Sequence, residues 1–190
     1  IFIYKMIYQP AEDSYFLAEI VSNYLKKLDK NQKENIKILD MGTGSGIQSE
    51  NCIKNNIKAQ NITAVDINEE ATGYVKKLNI NFVKSNLFSN INKNQHFNLI
   101  IFNPPYLPKH KFDKLQDTTG GKKGDETIIR FIKQLKSHLA NDGICFILTS
   151  SYTPGDKWKK AAEKNNFSKK KAAEKKLFQE KLFVWKLTFY

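Results

Sequence analysis

Four consecutive residues, Asn103-Pro104-Pro105-Tyr106, define the sharpest chemistry in this 190-residue chain. Pro104 restricts Asn103 to extended backbone, and Pro105 restricts Pro104 in the same way. The Asn103 side-chain oxygen and the Pro104 carbonyl are therefore two acceptors held in one geometry. A planar amide or an exocyclic amine has two N–H bonds to offer them, and Tyr106 presents a flat face on which such a group can stack. An amide nitrogen is a poor nucleophile because its lone pair is delocalised into the carbonyl. Acceptors that localise the pair, together with in-line positioning, are what its alkylation needs. The proton can leave after alkylation, so no general base is required. In isolation the tetrapeptide also reads as a strand halted by a proline turn.

A second motif supplies the context. Asp40-Met41-Gly42-Thr43-Gly44-Ser45-Gly46 has glycine at every second position, a spacing different from the Gly-x-Gly-x-x-Gly of dinucleotide-binding folds. No Lys-Ser or Lys-Thr pair follows to make a phosphate loop. Asp40 stands immediately before the glycines, where it would repel a pyrophosphate and attract an ammonium. Asp66, about twenty residues on, ends a predicted strand and is placed to accept both hydroxyls of a ribose. An adenosine bearing an amino acid rather than phosphates fits this set. The electrophile for the Asn103 site is then the sulfonium methyl of S-adenosylmethionine.

The elements that must position these motifs follow from periodicity. Apolar residues at helical spacing mark a helix over 13–28, and a polar connector over 29–35 follows it. Short strands are expected at 36–40, 61–66, 80–83, 96–102 and 144–149, with helices at 47–56, 69–78, 127–139 and 156–165 between or after them. Two last strands, near 169–176 and 182–189, are joined too briefly for a helical crossover and should form an antiparallel hairpin at one side. Alternating strands and helices predict an α/β fold with a seven-stranded, mostly parallel sheet. No repeat or linker divides the chain, so one domain over 1–190 is expected, with 1–35 as an N-terminal extension within it. The irregular stretch from 103 to 124 is long for a connection and reads as a functional loop.

Bulk properties narrow the classes further. Hydrophobic content of 41% and charged content of 26% are ordinary for a globular protein. No apolar run approaches the ~20 residues of a membrane span, and the start is too short and too polar downstream for a signal peptide. The sequence begins at Ile1, with Met6 as an alternative start. Cys52 and Cys145 fall in predicted regular elements and read as small buried hydrophobes in a cytoplasmic protein without disulfides. The net charge of +12 suggests an anionic partner such as nucleic acid, or simply a solvated surface. Arg130 is the sole arginine, whereas base- and phosphate-reading surfaces favour arginine forks.

His96, His110 and His138 share no metal-ligand spacing with each other or with the cysteines, so no metal site is expected. His110 lies in the long loop and could touch substrate. Gly120, Gly121 and Gly124 read as shaping the turn before the helix at 127, with Asp125 or Glu126 at its positive end. Trp158 and Trp185 read as packing residues.

Taken together, Tyr8-Gln9-Pro10-Ala11-Glu12-Asp13-Ser14, the Asp40–Gly46 loop, Asp66, Asn103–Tyr106 and Gly120-Gly121-Lys122-Lys123-Gly124 resemble the HemK family of glutamine methyltransferases. That family acts on the Gly-Gly-Gln loop of class I peptide release factors. The resemblance spans nearly the whole chain, and its Pro-Ala-Glu-Asp-Ser start is similar to the short archaeal and eukaryotic branch, which lacks the helical N-terminal domain of bacterial members. It implies a Rossmann-like class I methyltransferase fold. It also implies S-adenosylmethionine contacts at Ser14, Asp40, Gly42, Gly44, Gly46, Asp66, Asn86, Leu87 and Asn103, with Asn103, Pro104, Pro105 and Tyr106 holding the glutamine. One departure stands at Asn86, where the family usually has aspartate. Its side-chain oxygen can still accept from the adenine amine, but the charge is lost.

The resemblance further implies a small zinc-binding activator protein that pairs with the sheet edge near the third strand. Asn79 to Lys84 has few charges to blunt an exposed edge and is the expected docking site. The rival to a release-factor substrate is the exocyclic amine of adenine or guanine in RNA or DNA, which is also planar and donates two hydrogen bonds. No RNA-binding module, target-recognition domain or basic-aromatic groove is evident to support it. A scaffold that keeps the fold without catalysis is a third reading, opposed by the presence together of Asp40, Asp66 and Asn103.

Overall fold

A computed structural model describes residues 8–106 and 124–190. Seven strands form one sheet: β1 (Ile38–Met41), β2 (Ile62–Asp66), β3 (Asn81–Lys84), β4 (Phe97–Phe102), β5 (Leu139–Ser150), β6 (Phe167–Lys176) and β7 (Lys181–Phe189). Their order is β3-β2-β1-β4-β5-β7-β6. Neighbours from β3 through β5 are parallel, while β7 runs antiparallel to both β5 and β6. The expected mostly parallel sheet with a C-terminal antiparallel hairpin is thus the observed one. Its chain order reverses between β1 and β4, which opens a crevice beyond their carboxyl ends.

Strand periodicity divides the core. On β4, Leu99 and Ile101 point to one face, and Ile100 and Phe102 to the other. The first pair joins Ile38, Ile62, Phe146 and Leu148 beneath helix α1 (Glu12–Leu25), which buries Phe16, Leu17, Val21 and Leu25. The second pair joins Leu39, Met41, Cys145 and Ile147 beneath helices α5 (Glu126–Leu135) and α6 (Gly155–Lys164). Phe131 of α5 meets Phe102 with ring centroids 4.5 Å apart, fixing that helix beside the end of β4. Trp158 and Trp185 pack edge to face in the same layer, as packing residues should. Both cysteines are free and buried, and burial pushes their thiols up.

Two expectations about local structure are corrected. The connector at 29–35 is in fact a helix, α2 (Lys30–Asn35), started by a capping box between Asp29 and Gln32. It buries no residue, so it lacks the apolar stripe that periodicity detects, and its cap supplies the start signal instead. The helix near 127–139 ends earlier, at Leu135, because Leu139 already pairs with Phe97 as the first residue of a twelve-residue β5. The remaining helices are α3 (Ile47–Lys54) and α4 (Ala71–Val75), the latter continued by a 3-10 turn at Lys76–Leu78. Among the described residues no helix is long and apolar enough to cross a membrane.

Candidate functional site

The glycine loop leaves β1 and enters α3 through three left-handed glycines, Gly42, Gly44 and Gly46. Asp40 braces it. The carboxylate is 2% exposed, and its Oδ2 accepts from Thr43 Oγ1 at 2.7 Å and from Ser49 N and Oγ at 3.1 and 2.7 Å. Burial raises its pKa, with the hydrogen bonds from Ser49 and Thr43 acting in the opposite direction. Asp40 lines the cleft, yet this oxygen is already spent on holding the loop. Gly46 lies outside the cleft lining. Its φ is +81°, and a Cβ there would stand 3.0 Å from Val75 Cγ1, so glycine lets the loop close against α4.

Asp66 ends β2 and is braced in the same way: Gly44 N donates to Oδ2 and Asn68 N to Oδ1, both at 2.8 Å. Each carboxylate oxygen retains capacity to accept a further hydrogen bond, and Asp66 lines the cleft. Beyond β3, Ser85 N donates to the Asp66 carbonyl and Ser85 Oγ to the Leu87 carbonyl, each at 2.8 Å. These bonds support Leu87 in the left-handed region, at φ +54°, a conformation that costs a leucine about 1–3 kcal/mol and persists only where its surroundings enforce it. The turn sets Asn86 and Leu87 on the cleft wall.

Asn103 sits where β4 ends, and an aspartate from α1 fixes its orientation. Asn103 Nδ2 donates to Asp13 Oδ2 at 3.0 Å, and Tyr106 OH donates to the same oxygen at 3.2 Å. The other oxygen, Oδ1, accepts from Tyr8 OH at 3.0 Å and from Ser14 N and Oγ at 2.6 and 3.2 Å. A carboxylate can only accept, so it selects the rotation of the Asn103 amide that turns Nδ2 inward. Asn103 Oδ1 is left shielded from solvent with no hydrogen-bond partner, a condition that costs free energy unless a ligand donates to it. Burial and then the Asp13 charge raise the pKa of Tyr106 and Tyr8, keeping both phenols protonated as donors.

These two halves share one cleft of about 280 Å³. Ser14, Asp40, Gly42, Gly44, Asp66, Asn86, Leu87, Asn103 and Pro105 line it, as the sequence suggested. Pro104 and Tyr106 do not reach the lining: Pro104 is buried, and Tyr106 packs against the α1 side of the core. Residues missed by the sequence reading also meet there: Gln48, Ile67, Thr127 and Arg130. Gln48 donates to the Ser14 carbonyl at 2.8 Å and leaves its own Oε1 unpartnered. Ile67 follows Asp66 and is 60% exposed, an apolar wall for a flat ring. Arg130 stands out as the lone arginine, whereas the motif that contains Asp13 gives no sign that its side chain reaches Asn103. His96 is exposed and His138 stacks on Phe88 away from the cleft. His110, Gly120, Gly121, Lys122 and Lys123 lie outside the described residues, while Gly124 takes a φ of +88° before α5. Among the described residues no His, Cys, Asp and Glu cluster could hold a metal ion.

A cleft at the reversal point of such a sheet, with braced carboxylates on one side and an unpartnered amide acceptor on the other, defines a nucleoside-dependent group-transfer site of the class I methyltransferase type. Comparison with known proteins agrees. The methyltransferase small domain model matches residues 21–177, and the chain belongs to that family. A Methanocaldococcus jannaschii chain assigned as a protein N5-glutamine methyltransferase is 37% identical over 163 residues, covering 80% of this chain and 76% of that one. A release factor glutamine methyltransferase of Fusobacterium nucleatum is 34% identical over 113 residues, 56% of this chain but only 30% of its own length. Among solved structures, the E. cuniculi Mtq2-Trm112 complex responsible for methylating the eRF1 translation termination factor superposes with a TM-score of 0.76 at 23% identity, covering 97% of this chain and 99% of that chain. The protein is an S-adenosylmethionine-dependent methyltransferase, and its cleft offers what that cofactor needs: a braced carboxylate at Asp66, close backbone approach at Gly42 and Gly44, and apolar walls at Ile67 and Leu87.

Proposed function

We propose that this protein methylates the side-chain amide nitrogen of the glutamine in the Gly-Gly-Gln motif of a class I peptide release factor. The observation that carries this reading is the Asn103 side-chain oxygen, buried, unpartnered and turned away from Asp13. It is the acceptor that a substrate N–H requires, and the names of the sequence relatives supply the polypeptide amide as its donor. The Pro104 carbonyl is assigned to the second N–H, with Pro105 and Tyr106 fixing the turn that presents both acceptors.

On the cofactor side, Asp66 would hold the ribose hydroxyls, Asn86 and Leu87 the adenine, and Ser14, Gly42 and Gly44 the methionine portion. Asp40 and Gly46 would hold the loop in shape. When bound, S-adenosylmethionine supplies an electrophilic methyl on a sulfonium. Asn103 binds the amide N–H and orients its nitrogen, so transfer draws on positioning and electrostatics rather than on a general base. The whole span 1–190 is read as one methyltransferase domain working in the cytoplasm.

The edge strand β3 is proposed to dock a small zinc-binding activator protein, as in the two-chain assembly named for the E. cuniculi structure. Phe82 and Val83 are half-buried there, and Lys84 is paired with Glu69 at 2.6 Å, leaving little free charge on the edge. A fully active, well-behaved isolated monomer would sink that part.

The deciding experiment supplies labelled S-adenosylmethionine with either a release factor or RNA, with and without the activator, and locates the label. Label in the Gly-Gly-Gln peptide is expected, reduced about a thousandfold in Asn103→Ala, at the upper end of what losing one oriented polar contact costs a transfer step. Label only in nucleic acid would overturn the reading, and the net charge of +12 makes that arm worth running.

A further inference from the structure

The turn between β6 and β7 is joined to the acceptor half of the cleft through the loop after β5, and it carries two side chains without a partner. Phe178 is 98% exposed. Glu180 Oε2 is the opposite: it is shielded from solvent and has no hydrogen-bond partner. The nearest lysine in sequence, Lys181, instead reaches Glu174 at 3.5 Å, and Lys171 reaches the same Glu174 at 2.6 Å. Among the described residues no ion pair involves Glu180.

The turn is held in place rather than loose. Leu177 N donates to the Glu180 carbonyl at 2.8 Å, and Ser151 N, from the loop after β5, donates to the Lys181 carbonyl at 2.8 Å. Tyr152 OH donates to the Gln179 carbonyl at 2.5 Å. That loop also touches the transfer site, since Thr153 Oγ1 donates to the Tyr106 carbonyl at 3.4 Å. Glu180 lies between Gln179 and Lys181, the two residues whose carbonyls are tied to Tyr152 and Ser151 of that same loop. Exposed aromatic surface continues around it at Tyr152 and Tyr8, 48% and 36% exposed.

We propose that the β6–β7 turn is the docking surface for the acceptor polypeptide, with Phe178 packing against the incoming loop and Glu180 Oε2 accepting an N–H beside the modified amide. This deepens the amide-methylation reading and rests on it. A buried acceptor without a donor is unfavourable in the free protein and becomes favourable when a partner supplies one. Polypeptide backbone offers such donors at every residue except proline, whereas the phosphates flanking a nucleobase would meet the charges of Glu180 and Asp13 and be repelled. An exposed aromatic on a preorganised turn is the sort of anchor that dominates protein recognition, because little ordering cost remains at binding.

The test compares Phe178→Ala and Glu180→Leu, which removes the accepting oxygen, with the wild-type chain, with activator present and a release factor as substrate. Each variant is expected to raise KM for the release factor by roughly tenfold, the scale of a lost anchor or buried hydrogen bond. Calorimetric affinity for S-adenosylmethionine and the melting temperature should stay at wild-type values, separating docking from folding. Unchanged KM in both variants, with the wild type active, overturns this inference and leaves the proposed reaction standing. A wild type that labels only RNA removes the reaction itself. In that case Glu180→Leu lowering KM for RNA would also exclude a polypeptide dock.

Discussion

The two halves of the cleft are wired differently. On the cofactor side, each carboxylate is braced by residues nearby in the chain or in the loop after the adjoining strand: Asp40 by Thr43 and Ser49, Asp66 by Gly44 and Asn68. That half is completed by its own loop. On the acceptor side, the decisive contact joins Asn103 to Asp13, ninety residues apart, and it leaves Asn103 Oδ1 without a donor. One half is a finished cradle; the other is held open and waits for N–H groups. The difference implies that isosteric changes in the two halves should separate binding of the cofactor from transfer to the acceptor.

The largest expected separation comes from Asp13→Asn. The carboxylate accepts on both oxygens, and that fixes the rotation of the Asn103 amide. An asparagine at 13 carries an oxygen and an NH2. If its NH2 faces Asn103, the Asn103 amide turns over and presents a donor to the substrate; if it faces Ser14, two donors meet there. The variant should lose about a hundredfold in kcat, within the range for disturbing one oriented polar group at a transfer site. Its affinity for S-adenosylmethionine should change by less than about threefold, as befits a residue that positions Asn103 without lining the cleft. Asp13→Glu, which restores an obligate acceptor, should recover part of the loss. Equal losses in kcat and cofactor affinity would merge the two halves into one unit and end the distinction.

This contrast also explains what the sequence could disclose. Motifs confined to one turn, such as Asp40–Gly46 or Asn103–Tyr106, are legible because their residue types and spacing already imply a geometry. Strands β1, β2, β4 and β5 are legible because buried runs such as Leu99-Ile100-Ile101-Phe102 leave little alternative. The helix α2 was hidden because it buries nothing, and its single signal was a cap. Asp13 was hidden for a different reason: it sits in the first turn of α1, where an acidic residue is favoured by the helix dipole alone. Nothing local shows that its side chain turns inward to Asn103. Gln48 and Arg130 fall on helix faces that acquire meaning only when the sheet places them at the same crevice. The tetrapeptide suggests a stacking face at Tyr106, whereas its hydroxyl is tied to Asp13 and its ring packs against the α1 side of the core.

The complementary change in the cofactor half is Asp66→Asn. It keeps the shape but puts an NH2 against one of two backbone donors, Gly44 N or Asn68 N, both now 2.8 Å from the carboxylate. Affinity for S-adenosylmethionine should fall by roughly ten- to thirtyfold, corresponding to the loss of one or two hydrogen bonds to a charged group. At saturating cofactor, kcat should stay within about threefold of wild type, because the acceptor half is untouched. Calorimetry and saturation kinetics measure the two quantities independently. A large fall in kcat at saturation would mean that the glycine loop also sets the geometry of transfer.

The smallest effect is expected at Asn86, the exposed member of the Asn86-Leu87 pair on the cleft wall. Its backbone is anchored independently of its side chain: Ser89 N and Oγ both donate to the Asn86 carbonyl, and Leu87 is fixed by Ser85. Asn86→Asp should therefore leave the turn unchanged and add only charge. A carboxylate accepts from an adenine amine more strongly than an amide oxygen does, but solvent at an exposed position screens most of the gain. The expected outcome is a few-fold tighter cofactor affinity, diminishing as salt rises, with kcat and release-factor KM unaltered. Isothermal titration at low and high ionic strength measures it. A salt-independent gain would place the adenine deeper than the exposed turn suggests, whereas a weakened affinity would mean that Asn86 uses its NH2 as a donor and that the base lies the other way round on the wall between Ile67 and Leu87.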